Sequence, residues 1–367
     1  MDYSYFKSKT FWYPTILFIL FLIVYLILFN IGGHKYYSLT RTLTQWDGQL
    51  YLSVARDGYE KFPCEHNPNN ICGNVGWFPF YPITAWLLSL TGININWSII
   101  IISWLSLWLA LLFIYKLVKD KEDEKIALVA LIALLVFPSS FYFLTAFPYA
   151  LFLCLVSAIF LLVENKRFTF LFLLTALLAI TYPSGIVIGL PLLYYLIKNW
   201  RKLNNREKTK ISASLFSIGI ALFLYGLYYW IKFDDFFLYR HFQAQSYYAH
   251  QISFPFVVII RSLMDLKTSN PIFVSLLFTI LVTILFYSPK MDIGWQLFMF
   301  GILLFTPTMG TTTSYYRQII VAFPLFVLIG RAINSKWRKY LLGAYIVLAI
   351  YLMEEIFLPA YKLGQLM

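Results

Sequence analysis

Charge is scarce in this chain. Asp, Glu, Lys and Arg make up 13% of its 367 residues, about half the share usual in soluble domains. That shortage excludes a soluble globule. Cysteine is scarcer still, with three residues, which excludes a disulfide-dense secreted scaffold. There is no Walker, GxGxxG or HExxH pattern, no internal repeat and no domain-sized polar region. P-loop nucleotide chemistry, dinucleotide binding and helix-borne zinc proteolysis lose their usual signatures with them.

Apolar and aromatic residues fill the space. Hydrophobic residues reach 60% and aromatics 20%, with 35 Phe, 28 Tyr and 11 Trp. The reading is an all-α integral membrane protein, a single polytopic domain over 1–367. The net charge of +12 does not point to nucleic acid, because the basic residues fall between apolar runs rather than in one soluble patch. The bilayer is the first partner.

The first run, FWYPTILFILFLIVYLILFNI at 11–31, is about 30 Å of helix. No small-residue cleavage site follows it, so we read it as an uncleaved span rather than a signal peptide. Further apolar runs lie at 97–115, 126–142, 146–163, 168–182, 183–197, 211–231, 271–288, 295–309, 319–333 and 341–353. Together they predict about 11 spans, within a range of roughly 9 to 13. With the N-terminus inside, 19 of the 29 Lys and Arg residues fall on the inner side, among them Lys7 and Lys336. This bias favours a cytoplasmic N-terminus. All four histidines, His34, His66, His241 and His250, then lie outside, as do Asp47, Asp57, Asp234, Asp235 and Asp265.

The longest polar segment is the first outer loop, 32–79. Within it Thr44–Tyr59 reads TQWDGQLYLSVARDGY. Residues 47–57 suit a short amphipathic helix lying along the membrane boundary, with Asp47, Tyr51 and Ala55 on one face. Asp47 stands between Trp46 and Gly48. A carboxylate in a partly desolvated site can take a proton from an attacking hydroxyl, and Gly48 would let a substrate approach. The alternative is that Asp47 caps the helix. Asp57, before Gly58 and Tyr59, reads more simply as a turn or helix-end residue. Cys64 and Cys72 share this loop and suit a disulfide if it faces outward. A metal site from Cys64, His66 and Cys72 lacks a further ligand, so no metal is expected.

Two more outer segments carry polar groups. In DDFFLYRHFQAQ at 234–245, Arg240, His241, Gln243 and Gln245 are set among aromatics. They would grip an anionic or sugar-like ligand, or belong to a solvated loop. In TTTSYYRQII, Arg317 suits a phosphate, or snorkels at the headgroups. These features allow an enzyme acting on a lipid-linked substrate. They also allow a transporter or flippase for a lipid-linked or anionic solute, although ionisable groups are almost missing from the span centres where transport routes carry them.

WDGQLYLSVARDGY at 46–59 resembles the first-loop signature of the GPI mannosyltransferase 2 (PIG-V type) family and its prokaryotic relatives, within the C-type (GT-C) membrane glycosyltransferases. GWFPFYPI at 76–83, FPSSFYFLTAFPYALFL at 137–153, DDFFLYRHFQAQSYY at 234–248 and SYYRQIIVAFPLF at 314–326 resemble further family segments in the same order. The resemblance implies an inverting transfer of a sugar, mannose first. The donor would be a polyprenyl- or dolichyl-phosphate sugar, and the acceptor a glycolipid, glycan or glycoprotein on the extracytoplasmic face of a prokaryotic plasma membrane. Asp47 would be the base. Arg317, and with it Arg240, His241 or Gln245, would hold the donor phosphate or sugar. Trp46, Gly48, Tyr51, Asp57, Tyr59, Tyr149 and Tyr182 would line the site. No cofactor, nucleotide or obligatory metal is implied. The sequence departs from the family at two positions. Tyr149 stands where relatives often carry Glu, and Tyr182 where they often carry Arg. We expect these two tyrosines to lie together, replacing a charge pair.

Overall fold

The computed structural model describes residues 8–31, 38–245, 248–333 and 338–363. Lys7, His34 and Lys336, used above to orient the chain, lie outside them. The first helix, Lys9–Ile31, is apolar on every side. It buries Phe21, Tyr25 and Phe29, spaced four apart, and leaves Trp12, Ile16, Leu20, Ile23 and Ile27 on its outer face. A helix that exposes such a face suits lipid rather than water. It packs against the long helix Ile95–Lys121, which also touches Phe80–Ser89, Glu124–Val136 and Tyr149–Glu164. Ile95–Lys121 is therefore the central post. Asn94 caps it by accepting from the Asn96 amide at 2.9 Å.

Four helices among the described residues are long and apolar enough to cross a membrane: Lys9–Phe29, Ile95–Lys121, Asn205–Phe233 and Tyr340–Phe357. Tyr315–Val321 and Phe323–Ala332 make a fifth if joined, with a bend of 72° between them. Hydropathy predicts about 11, because it counts each apolar run as one crossing. The structure carries the other runs as shorter or broken helices. The runs at 168–182 and 183–197 become Leu171–Ala179 and Gly189–Asn199, of 9 and 11 residues, with a 3₁₀ turn Pro183–Ile188 between them. At 1.5 Å per residue they are about 14 and 17 Å long, well short of a bilayer core. Proline supplies the breaks: Pro138 follows Glu124–Val136, Pro148 precedes Tyr149–Glu164, and Pro183 opens the 3₁₀ turn. The freed backbone is re-satisfied within the protein, as when the Phe80 amide donates to the Ile180 carbonyl at 3.0 Å.

The polar segment after the first helix is folded. Helices Leu39–Leu43 and Asp47–Asp57 are followed by an antiparallel hairpin of Lys61–Pro63 with Ile71–Gly73. Cys64 and Cys72 are bonded beside it, with Cα atoms 5.0 Å apart. The apolar residues of Asp47–Asp57, namely Tyr51, Leu52, Val54 and Ala55, are buried and the helix packs on Phe80–Ser89. Its apolar side meets the protein, where the sequence suggested the membrane boundary. An unexpected helix, Pro255–Asp265, does present apolar residues outward: Phe256, Val257, Ile260 and Met264 are exposed.

Charged residues gather at the Lys121 end of the central post. Lys121 bridges Glu164 at 2.6 Å and Asp292 at 2.9 Å. The Arg331 guanidinium grips Glu122, and Lys119 and Lys9 both approach Glu124. The Asp47 loop lies near Ser103 of the same helix, whose hydroxyl donates to the Thr145 carbonyl at 2.9 Å. Ser103 and Lys121 are about 27 Å apart along the axis.

Gly185 sets the packing of the broken segment. A methyl group there would overlap the Leu178 carbonyl and press on the Ala179 Cα, whereas Gly219 has open space around it. We expect Gly185→Ala to destabilise the protein by about 1–3 kcal/mol and Gly219→Ala to leave it unchanged. Thermal unfolding in detergent, read side by side for the two variants, checks this.

Candidate active site

The chain reaches Asp47 through a strained residue. Trp46 has φ 59° and ψ −135°, a region that non-glycine residues rarely occupy. Its indole Nε1 donates to the Tyr361 carbonyl at 2.7 Å, and the Tyr361 hydroxyl donates to the Thr42 carbonyl at 2.8 Å. Both flanks of the turn are thereby held. Trp46 occupies the helix cap, and Asp47 is the first helical residue. The carboxylate therefore goes elsewhere. Its Oδ2 lies 2.7 Å from Nη1 of Arg317, with 32% of the Asp47 side chain exposed and 12% of the Arg317 side chain. Among the described residues Oδ1 meets no donor.

Arg317 is held in turn. Its Nη2 donates to Ser314 Oγ at 2.9 Å. The guanidinium carbon stands 5.4 Å from the centre of the Phe147 ring and 6.0 Å from that of Tyr316, within cation–π range. Its Nε is buried with no partner among the described residues. Phe147 and Tyr149 stack with centroids 5.9 Å apart. The Tyr149 and Tyr182 rings are 5.3 Å apart, and the Tyr149 hydroxyl donates to that of Tyr182 at 3.4 Å. The two family departures therefore meet, as a hydroxyl pair beside the Asp47–Arg317 ion pair. Gln318 joins them: its Nε2 donates to the Tyr182 oxygen at 3.0 Å, and its Oε1 accepts from the buried Thr306 hydroxyl.

The other expected residues fall into two groups. Tyr51 is near, whereas Tyr59 follows the far end of the helix Asp47–Asp57 and packs against Tyr225 and Tyr229. Tyr51 packs edge-on against Tyr81 at 5.6 Å, within electrostatic reach of Asp47 and Tyr182, and burial pushes its phenol pKa up. The Tyr59 hydroxyl donates to the Trp77 carbonyl at 2.5 Å. Gly48 is buried against Ala146, so the close approach it permits is to the chain itself. The second group stands apart. Asp57 is exposed and paired with the adjacent Arg56 at 2.7 Å; that hydrogen-bonding neighbour holds its carboxyl below the usual range. His241 bonds to Asp235 at 2.8 Å, and Arg240 is exposed on the same short helix, Leu238–Gln243. Gln245 donates to the Ile71 and Phe242 carbonyls and accepts from the Ile71 amide. It fastens the disulfide hairpin.

Sequence reasoning missed Ser314, Gln318, Thr306 and Phe147. Gln318 and Ser314 flank Arg317 in SYYRQ, and Phe147 lies two residues before Tyr149, so adjacency was the available signal. It also missed an apolar groove of about 830 Å³. Val54, Ala55, Ile83, Trp86, Ile220 and Leu224 are in its walls, between the helices Asp47–Asp57, Phe80–Ser89 and Asn205–Phe233. Ile83, Trp86, Ile220 and Leu224 are also exposed outward, so the groove opens sideways among lipid-suited residues. Ile180 lies in its lining, two residues before Tyr182.

Residues 79–230 match the family model described as dolichyl-phosphate-mannose-protein mannosyltransferase. The match takes in the groove walls from Phe80–Ser89 and Asn205–Phe233 and includes neither Asp47 nor Arg317. No curated protein matches the chain in sequence. Among solved structures, the oligosaccharyltransferase of Archaeoglobus fulgidus tethered with an acceptor peptide containing the NVT sequon superimposes with a TM-score of 0.53 at 10% identity, over 98% of this chain and 55% of that one. The fold is that of this oligosaccharyltransferase structure. The same enzyme in complex with Zn and sulfate gives a TM-score of 0.52 at 9% identity, over 94% of this chain and 52% of that one. The chain thus spans about half the length of these structures. Zinc in that neighbour raises the question of a metal here. Among the described residues no three of His, Cys, Asp and Glu come together, and the Asp47 carboxylate is already paired with a guanidinium.

The ion pair predicts a stability signature. Asp47→Ala leaves the Arg317 charge enclosed and unpaired, at a cost of about 2 kcal/mol after allowing for the partial exposure of Asp47. We expect the double variant Asp47→Asn with Arg317→Gln to melt above the Asp47→Ala single variant. Thermal unfolding of purified protein in one detergent compares them.

Proposed function

We propose that this chain is a membrane glycosyltransferase that moves a sugar, mannose first, from a polyprenyl- or dolichyl-phosphate donor to a glycolipid, glycan or glycoprotein acceptor. The observation that carries the reading is the Asp47–Arg317 pair beside a sideways-opening apolar groove. The groove suits an isoprenoid tail, and a ligand that enters from the bilayer needs such a route. The family match over residues 79–230 supports the sugar and lipid classes. The acceptor peptide in the Archaeoglobus structure adds a protein segment to the acceptors worth testing. The active site would face the extracytoplasmic side of a prokaryotic plasma membrane, with the N-terminus in the cytoplasm.

The chemistry follows from the free carboxylate oxygen. Arg317 fixes Oδ2, which leaves Oδ1 to accept a proton. The acceptor hydroxyl oxygen forms a bond to the anomeric carbon from the face opposite the phosphate. The bond from that carbon to the phosphate oxygen breaks, its electron pair leaves with the lipid phosphate, and the hydroxyl proton passes to Asp47. The configuration inverts. Holding both reactants in line supplies much of the acceleration. The leaving group is already an anion, so hydrogen-bond donors and cations around it matter more than a general acid.

The test is sugar transfer by purified protein in lipid, with short-chain polyprenyl-phosphate mannose as donor and mixed glycolipid and peptide acceptors. Wild-type transfer that falls about 10²-fold or more in Asp47→Asn supports a base at Asp47. Transfer that survives the substitution removes that role from Asp47.

A further inference from the structure

A phenol oxygen has two lone pairs and one hydrogen. At Tyr182 both lone pairs are taken. One accepts from Gln318 Nε2 at 3.0 Å and the other from the Tyr149 hydroxyl at 3.4 Å. Gln318 presents its Nε2 to Tyr182 and its Oε1 to the Thr306 hydroxyl, an arrangement in which the Tyr182 oxygen is the acceptor. The Tyr182 hydrogen has no acceptor among the described residues. Tyr182 is half-buried and stands within electrostatic reach of Asp47 and Arg317. On its other side the chain leads within two residues to Ile180 in the wall of the apolar groove. Two accepted hydrogen bonds polarise an O–H and make it a better donor.

A tail–phosphate–sugar molecule, with its tail in the groove and its anomeric carbon at Asp47, must place its phosphate between them. Tyr182 has Asp47 within electrostatic reach, and Ile180 of the same turn lines the groove. Arg317 has much of its charge engaged by Asp47, so neutral donors carry more of the task. We infer that the Tyr182 hydroxyl, oriented by Thr306, Gln318 and Tyr149, donates a hydrogen bond to a phosphate oxygen of the lipid-linked donor. This rests on the function proposed above, and it names a phosphate contact at a position where the family resemblance would place an arginine.

The experiment measures binding of short-chain polyprenyl phosphate and of the matching polyprenol to purified protein in lipid nanodiscs. It compares wild type, Tyr182→Phe and Tyr149→Phe. A hydrogen bond to a charged group is worth about 1.5–3 kcal/mol, so Tyr182→Phe should weaken phosphate binding roughly 10- to 100-fold. It should leave polyprenol binding unchanged, as a general packing defect would not. Tyr149→Phe keeps the Tyr182 hydrogen and should cost less than about threefold. A fluorinated tyrosine introduced at 182, a stronger donor of the same shape, should tighten phosphate binding, which keeps the idea open to test if Tyr182→Phe folds poorly. Equal loss of phosphate and polyprenol binding in Tyr182→Phe overturns the inference. So does unchanged phosphate binding. Wild-type protein that binds polyprenyl phosphate no better than polyprenol overturns the lipid-phosphate reading itself, a separate failure.

Discussion

One ion pair joins the early and late parts of this chain. Asp47 comes from the first folded loop and Arg317 from the bend between two late helices, and each would be a liability alone. A guanidinium with 12% of its side chain exposed needs its carboxylate, and the carboxylate is oriented by the guanidinium. The surrounding contacts follow from that need. Phe147 and Tyr316 lie within cation–π reach of Arg317, Ser314 takes a second donor, and Trp46 accepts an unfavourable backbone conformation that leads into Asp47. Strain at that position is tolerated because the indole and the neighbouring backbone are both tied to Tyr361.

The site also has a second, uncharged layer. Tyr149, Tyr182, Gln318 and Thr306 form a chain of directed hydrogen bonds next to the ions. Neutral donors suit this position. Another full charge there would face a desolvation cost in an apolar setting, whereas hydroxyls and an amide can be satisfied by one another. The groove supplies the third part, an apolar wall open to the side.

Much of this was legible in the sequence, and for identifiable reasons. Membrane character follows from composition alone. Asp47 is conspicuous because carboxylates are rare here and this one sits in an aromatic turn. Tyr149 and Tyr182 stood out only against a family pattern, and their meeting in space follows from it. Span counting was less secure: hydropathy sees apolar runs at 168–182 and 183–197 but not that Pro183 breaks the path into pieces too short to cross alone. Arg240, His241 and Gln245 looked like ligand-binding residues because the sequence places them among aromatics. A helix rotates neighbouring side chains by about 100°, and here His241 turns to Asp235 while Gln245 pins the hairpin. Gln318 was overlooked because an amide beside an arginine carries no pattern of its own; only its two partners give it meaning.

Tyr361 has a consequence for the order in which the protein is made. Its carbonyl receives the Trp46 indole and its hydroxyl reaches Thr42, so the loop bearing Asp47 is braced by a residue translated more than three hundred positions later. That loop must wait, braced by neither Arg317 nor Tyr361, while the intervening helices are made. Contacts of such long sequence separation form late. Maturation of the site is therefore a closing event, and a nascent chain that has not yet released residue 361 holds its carboxylate without the frame that aims it.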